Sequence, residues 1–278
     1  MHPLVNHVIQ LQELILIRDE QKVAGSRARL GELDQSIEDM TAALPADVRA
    51  LFTKLHHRDH VVAVPVCDGS CVVCGMKLPI SLVQAMRLGR QIHTCPNCAR
   101  ILYETVRAPR RIGRAPRRTE PRKVGIARFS APALMIPRLV SATCEEAIRE
   151  LAGKMEEQEF VNDGDKLADA AIRREAVVST AVDHGLAFPH ARGVEGGGLS
   201  LALGLSPKGI RFEAAARSRT RIVFFLAIPT AASAFYLKLL AGLTETFRDA
   251  DARKTLLAAK EPGDLWKTLV KLTRSTIK

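Results

Sequence analysis

Four cysteines in two close pairs, Cys71 and Cys74 and, after twenty intervening residues, Cys95 and Cys98, constrain the fold of this 278-residue chain more than any other feature. The C-x2-C-x20-C-x2-C spacing presents two thiolates from each of two tight turns, which is the donor set a tetrahedral zinc ion requires. Protein would fill all four coordination positions, so such a site is structural and not catalytic. Gly69 and Gly75 flank the first pair, Pro96 lies in the second, and the strand-like runs 61–66 and 101–103 fit knuckles carried on short β-hairpins. A zinc ribbon is therefore expected over 61–106. Two redox-active or unmetallated pairs are the competing reading of the same spacing. Cys67 and His93 lie near enough in sequence to substitute as ligands; Cys67 and Cys144 otherwise read as small apolar residues.

Apolar residues make up 47% of the chain, enough to bury a core. The longest useful apolar runs, 61–66 and 222–228, fall far short of the about 18 residues of a membrane-spanning helix. The N-terminus lacks a basic leader and a small-residue cleavage site, so a cytoplasmic address without membrane insertion is expected. The formal charge of +11 is concentrated: residues 107–123, RAPRRIGRAPRRTEPRK, hold eight basic side chains against Glu120, or +7, and the remainder is mildly basic. A repeated RAPRR, three prolines and no apolar periodicity mark an extended basic linker, expected over 107–130.

Upstream of the ribbon, Leu30, Leu33, Ile37, Met40, Leu44, Val48, Leu51 and Leu55 alternate steps of three and four and lay one apolar seam along a helix. Pro45 is expected to kink or restart it. Leu4, Val8, Leu11 and Ile15 share a face of an earlier helix, with Gly25-Ser26 as the turn between them. Residues 1–60 thus read as a short helical hairpin of coiled-coil type, which either pairs with a second copy in a homodimer or folds back on the ribbon. Downstream, helical patterns at 143–160 and 163–174 are separated by Asn162-Asp163-Gly164 as break and cap. Strand-like runs at 199–205 and 222–228 and closing helices near 233–249 and 263–276 complete an α/β layered domain, a mixed sheet with flanking helices, over 131–278. The chain is expected to be multi-domain.

The most informative stretch for chemistry is 174–192, REAVVSTAVDHGLAFPHAR. His190 follows Pro189 and precedes Ala191 and Arg192, a setting suited to a strand end with a rigid backbone and an exposed ring. Neutral imidazole is a nucleophile at physiological pH, and the phosphohistidine it forms can pass its group onward. A neighbouring guanidinium stabilises the charge on a transferring phosphoryl group. His184, in the turn 182–185, is an alternative nucleophile. His56, His57 and His60, beside Lys54 and Arg58, read as a solvated basic face and not a metal site.

Two resemblances extend these readings. The text ALPADVRALFTKLHHRD, VPVCDGSCVVCGMKLP and TCPNCARILY resembles a bacterial family of cytoplasmic proteins in which a coiled-coil hairpin leads into a four-cysteine zinc ribbon, which implies a binding or tethering module. The helical hairpin here is shorter than that family's. From EEAIRELAGKMEEQEF through HGLAFPHAR, GLSPKGIRF, RIVFFLAIP and FYLKLLAGLTETFRD, about 145 residues resemble the type-2 enzyme IIA domain of the phosphotransferase system, the fructose, mannitol and nitrogen-regulatory class. The resemblance implies a phosphohistidine carrier: His190 takes the phosphoryl group from the phosphocarrier HPr or a homologue, and Arg174 contacts it. Ser179 and Thr180 stand where the family has hydroxyls near the pocket, with Arg192 beside them. Tyr236 stands where the family usually has a second histidine, a departure that replaces a chargeable ring with a neutral hydroxyl.

A phosphotransfer component that regulates, without being a complete sugar permease, is one function these features support. A zinc-ribbon regulator, in which the ribbon and linker bind nucleic acid or an acidic protein and the second domain is degenerate, is the other. The absence of aromatics among the linker arginines removes a stacking platform for single strands.

Overall fold

In a computed structural model of the chain, residues 2–25, 30–104, 123–195, 198–212 and 219–278 are described, the side chain of Ala234 excepted. The chain divides into two compact units, Met1–Ala108 and Pro109–Lys278. Of the linker expected over 107–130, residues 107–122 lie outside the described residues, as do 105–106 at the end of the expected ribbon.

The first unit begins with helices α1 (Pro3–Ala24), α2 (Leu30–Ala42) and α3 (Ala46–Arg58). Gly25, in the left-handed region at φ 77°, ends α1 by turning its N–H back to the carbonyls of Gln21 and Lys22. Pro45 restarts the chain as α3, because its ring removes the N–H that a continuous helix would bond. Strands β1 (Ala63–Cys67), β2 (Ser70–Cys71) and β3 (Ile101–Glu104) form a small sheet in the order β2-β1-β3, and a helix absent from the sequence reading, α4 (Ile80–Leu88), fills the interval between the cysteine pairs.

The hairpin and the ribbon share one core. Val8, Leu11 and Ile15 of α1, Ile37 of α2 and Val48, Phe52 and Leu55 of α3 cluster with Val62, Ala63 and Ile101 of the ribbon, and Met40 and Leu51 pack at the margin. The predicted seam is thus covered within the unit, the folding-back alternative. Polar ties reinforce it. The buried Gln12 of α1 accepts from the backbone N–H groups of Val62 and Ala63 at 2.6 and 2.9 Å and donates to the Ala63 carbonyl at 3.3 Å. A backbone edge that would otherwise be buried without partners is so satisfied.

In the second unit, strands β4 (Met135–Ile136), β5 (Ala181–Val182), β6 (Leu186–Ala187), β7 (His190–Arg192), β8 (Ser200–Ile210) and β9 (Thr220–Ile228) form one mixed sheet. Helices α5 (Cys144–Glu157), α6 (Gly164–Glu175), α7 (Ser233–Arg248), α8 (Ala250–Leu257) and α9 (Pro262–Thr273) surround it. β8 and β9 are antiparallel, whereas β6 and β7 both run parallel to β9, at Leu186↔Ile222 and His190↔Leu226. β9 is buried along nearly its whole length, as a strand covered on both faces must be, which explains the unbroken apolar run 222–228. Phe224 stacks on Phe188 at 5.4 Å and meets Phe247 of α7 at 5.3 Å.

The segment 125–130, assigned by composition to the linker, belongs to this unit. Gly125–Arg128 forms a 3-10 turn that buries Ile126, and the Phe129 carbonyl accepts from Leu201 N–H at 2.7 Å. Apolar burial overrides the basic flank there. Among the described residues no helix is long and apolar enough to cross a membrane.

Candidate functional site

The four cysteines converge. Their sulfurs all lie within 4.8 Å of one another, with Cys71 to Cys98 at 3.8 Å and Cys74 to Cys95 at 3.6 Å. A zinc ion with Zn–S bonds of about 2.3 Å at the centre of a tetrahedron needs S···S edges of about 3.8 Å, so the donor set fits zinc in chemistry and in size. Both knuckles close alike. Gly75 N–H bonds the Cys71 carbonyl and Ala99 N–H bonds the Cys95 carbonyl, each at 2.8 Å, and both closing residues are left-handed, Gly75 at φ 71° and Ala99 at φ 61°. Cys67 and His93 fall outside the cluster.

Burial pushes the Cys71 thiol up to about 12 and raises Cys95 as well. At Cys74 burial also acts upward, but hydrogen bonds from the Met76 backbone, Asn97, Cys71 and Cys95 outweigh it and hold that thiol down to about 6. The second knuckle carries a clasp the sequence reading missed. Arg100, whose carbonyl accepts from Cys95 N–H at 2.8 Å, donates from Nε to the Val61 carbonyl at 2.8 Å and pairs with Asp59 at the end of α3. The zinc knuckle and the helices are thereby fastened to the same residue, the knuckle through its carbonyl and α3 through its guanidinium.

His56 stacks on Phe52 at 5.8 Å and meets His60 edge-on, while His60 Nδ1 lies 3.5 Å from an Asp19 carboxylate oxygen. Burial, then the neighbouring His60, lowers the His56 pKa. His57, Lys54 and Arg58 are exposed, as the solvated basic face requires, whereas His56 and His60 are half-buried and pack and pair.

The histidine site assembles from four elements. Phe188-Pro189 interrupts the edge that β6 and β7 share with β9, the Pro189 carbonyl accepts from Leu226 N–H at 3.0 Å, and His190 opens β7. Its ring is buried, 1% exposed, where the sequence suggested exposure; the ring of Tyr236, from the first turn of α7, stands against it at 5.0 Å. His190 Nδ1 lies 3.0 Å from the Phe188 carbonyl and 3.3 Å from the Tyr236 hydroxyl. Arg192 donates to Ser233 Oγ at 3.3 Å and stacks its guanidinium 5.2 Å from the Tyr236 ring centre.

Arg174 sits in the last turn of α6, which packs against β7; it is 9% exposed and donates to the Val178 carbonyl at 2.8 Å. Ser179 and Thr180 both donate their hydroxyls to Glu175, at 2.9 and 2.6 Å. The sequence reading passed over Glu175, although a carboxylate four and five residues ahead of two hydroxyls at a helix end is a local signal for such a cap. His184 is exposed on its turn at φ 69°.

Comparison with known proteins agrees with this layout. Residues 70–102 match the model of a C4-type zinc ribbon domain, and the clustered cysteines mark a structural zinc site. Residues 133–271 match the model described as phosphoenolpyruvate-dependent sugar phosphotransferase system, EIIA 2. A fructose-specific EIIA component of the phosphotransferase system from Haloferax volcanii is 30% identical over 119 residues, 43% of this chain and 77% of that protein. A nitrogen regulatory protein from Bradyrhizobium diazoefficiens is 30% identical over 142 residues, 50% of this chain and 90% of its own. The crystal structure of nitrogen regulatory protein IIA-Ntr from Neisseria meningitidis aligns with a TM-score of 0.46 at 18% identity, covering 51% of this chain and 96% of that one. With half of its length matched by the family model and with relatives covered over most of theirs, the chain belongs to the EIIA 2 family of the phosphoenolpyruvate-dependent sugar phosphotransferase system.

Proposed function

We propose that the second unit is a phosphoryl acceptor that takes the group on Nε2 of His190 from a phosphorylated HPr-like carrier, and that its role is regulatory. The observation that carries this is the 3.0 Å contact of His190 Nδ1 with the Phe188 carbonyl. A carbonyl oxygen only accepts, so the bond requires the proton on Nδ1 and leaves the lone pair on Nε2. That lone pair attacks the phosphorus of the donor's phosphohistidine. The Nε2–P bond forms, the donor's N–P bond breaks, and its electron pair returns to the donor imidazole. His190 then carries a phosphoryl group on Nε2 and a proton on Nδ1, and the bond to Phe188 strengthens as the ring gains positive charge.

Arg174 and Arg192 offer guanidinium charge to the transferring group, while Ser179 and Thr180, whose hydroxyls donate to Glu175, brace the pocket wall. Tyr236 takes a different part from the one its position in the sequence suggested. Its hydroxyl lies beside Nδ1, the nitrogen that keeps the proton, so it holds the ring.

In this reading Cys71, Cys74, Cys95 and Cys98 hold zinc as a structural ion and supply no chemistry. A nucleic-acid role for the first unit is weakly supported, because residues 1–104 balance eleven basic against eleven acidic side chains; a protein partner suits it better. Regulation is favoured by the relative named a nitrogen regulatory protein and by the tethered ribbon.

The test is incubation with phosphoenolpyruvate, enzyme I and HPr, scoring acid-labile label. Label on the wild type that vanishes in His190→Ala and weakens in Arg174→Ala is the expected result. An unlabelled wild type with active donors overturns the reading and leaves a degenerate domain beside a binding ribbon.

A further inference from the structure

We infer that Glu175 is the positioning residue of the histidine site, one carboxylate that orients both His190 and Arg174; the inference rests on the phosphoacceptor reading above. Glu175 is the last residue of α6, and its carboxylate turns forward over the residues that follow. Oε1 accepts from Ser179 Oγ at 2.9 Å and from the Thr180 backbone N–H at 2.8 Å, while Oε2 accepts from Thr180 Oγ1 at 2.6 Å. The helix end and the 178–180 loop are thereby one rigid turn.

Two paths leave that turn. Along the first, the Thr180 carbonyl accepts from Phe188 N–H at 3.2 Å, and the Phe188 carbonyl accepts from His190 Nδ1 at 3.0 Å. The carbonyl that selects the His190 tautomer is therefore held, two hydrogen bonds back, by the residue Glu175 fixes. Along the second, Val178 stands inside the clamped loop and its carbonyl accepts from Arg174 at 2.8 Å. One side chain sets the direction of the nucleophile and of the guanidinium, and neither path needs Glu175 to touch the phosphoryl group.

Removing the carboxylate leaves Thr180, 5% exposed, with a buried N–H and hydroxyl to satisfy elsewhere, which favours a shifted loop. Transfer requires a near-attack geometry, and a displacement of about 1 Å in such a site costs on the order of 100-fold in rate. The same shift should weaken the Phe188 to His190 bond and move the ring proton between its two nitrogens.

The experiment compares wild type, Glu175→Ala and Glu175→Gln in the full chain, measuring kcat and KM for phosphorylation by phospho-HPr and the 15N shifts of the His190 ring. Glu175→Ala should lose about 100-fold in kcat with KM for the donor little changed, and its ring shifts should move toward mixed tautomers. Glu175→Gln should recover most of the rate, since its Oε1 can still accept from Ser179 and Thr180 and its amide can turn to Thr180 Oγ1. Wild-type rate or wild-type ring shifts in Glu175→Ala overturn the inference; so does a Glu175→Gln as slow as the alanine variant, which would make charge and not position the working property. Should Glu175→Ala fail to fold, Thr180→Val removes one of the three bonds, and an unchanged ring spectrum there is equally fatal. If the wild type accepts no phosphate, the phosphoacceptor reading falls, and the ring shifts still decide the positioning claim.

Discussion

The cysteine cluster draws its four donors from two short knuckles, whereas the histidine site draws on the end of α6, the loop after it, the start of β7 and the first turn of α7. In the first, the ligands arrive with their turns: Gly75 and Ala99 close identical loops, and the metal ties two local structures together. In the second, residues 174–192 supply most of the side chains, but α6, the loop and β7 must pack together and α7 must bring Tyr236 and Ser233. His190 meets Tyr236 across 46 residues, and the Phe188 carbonyl that selects its tautomer is held through Thr180. Local sites depend on their ion, and assembled ones on the packing of the whole unit.

The largest effect that tests this contrast is metal removal. A structural four-cysteine zinc site contributes on the order of 10 kcal/mol to folding, and Arg100 and Gln12 bind the ribbon to the helices. Chelation should therefore abolish hydrogen-exchange protection in α1 to α3 as well as in the ribbon, while β8 and β9 stay protected. Helices that stay protected after chelation would show that the shared core stands without its ion.

Acid should do the same by titration, and the sign is set by the thiols. Without metal, Cys71 and Cys95, both raised by burial, hold their protons at neutral pH and surrender them on binding. Affinity therefore falls as pH falls, by at least about 100-fold per pH unit for two displaced protons, and more steeply below the Cys74 value of about 6. A competition titration with a chromophoric chelator between pH 6 and 8 measures the slope, and a flat profile contradicts the assignment of these thiolates as ligands.

Arg100→Met should come next. It strands Asp59, whose side chain keeps 33% of its exposure, so the loss should be about 2 kcal/mol, below that of a wholly buried pair. Denaturant unfolding of the zinc-loaded chain should show it in the first unit only. The smallest effect sharpens the comparison from the other side. Thr143 caps α5 in a capping box with Glu146, and Thr143→Ala should cost the second unit about 1 kcal/mol without changing zinc retention.

Legibility in the sequence followed the same divide. The cysteine ligands could be read from spacing, and the α1, α2 and α3 seam from its steps of three and four, because both are patterns within a few turns of chain. α4 escaped because its exposed Ile80 and Leu88 blur the amphipathic period. The short strands β4 to β7 escaped because two- and three-residue pairings carry no period of their own. Exposure of His190 was misjudged because the ring that covers it lies in another element.

By itself the sequence determined the zinc knuckles, the buried strand 222–228 and the rigid setting of His190 behind Pro189, since covalent neighbours and local periodicity suffice for each. Only the tertiary structure decided that the hairpin seam is spent on the ribbon, that Arg100 joins the two, and that Glu175 and Phe188 stand behind His190. The first two are contacts between segments far apart in the chain, chosen by packing that no local pattern encodes; the third is a chain of short-range hydrogen bonds whose alignment on His190 depends on α6 packing against β7.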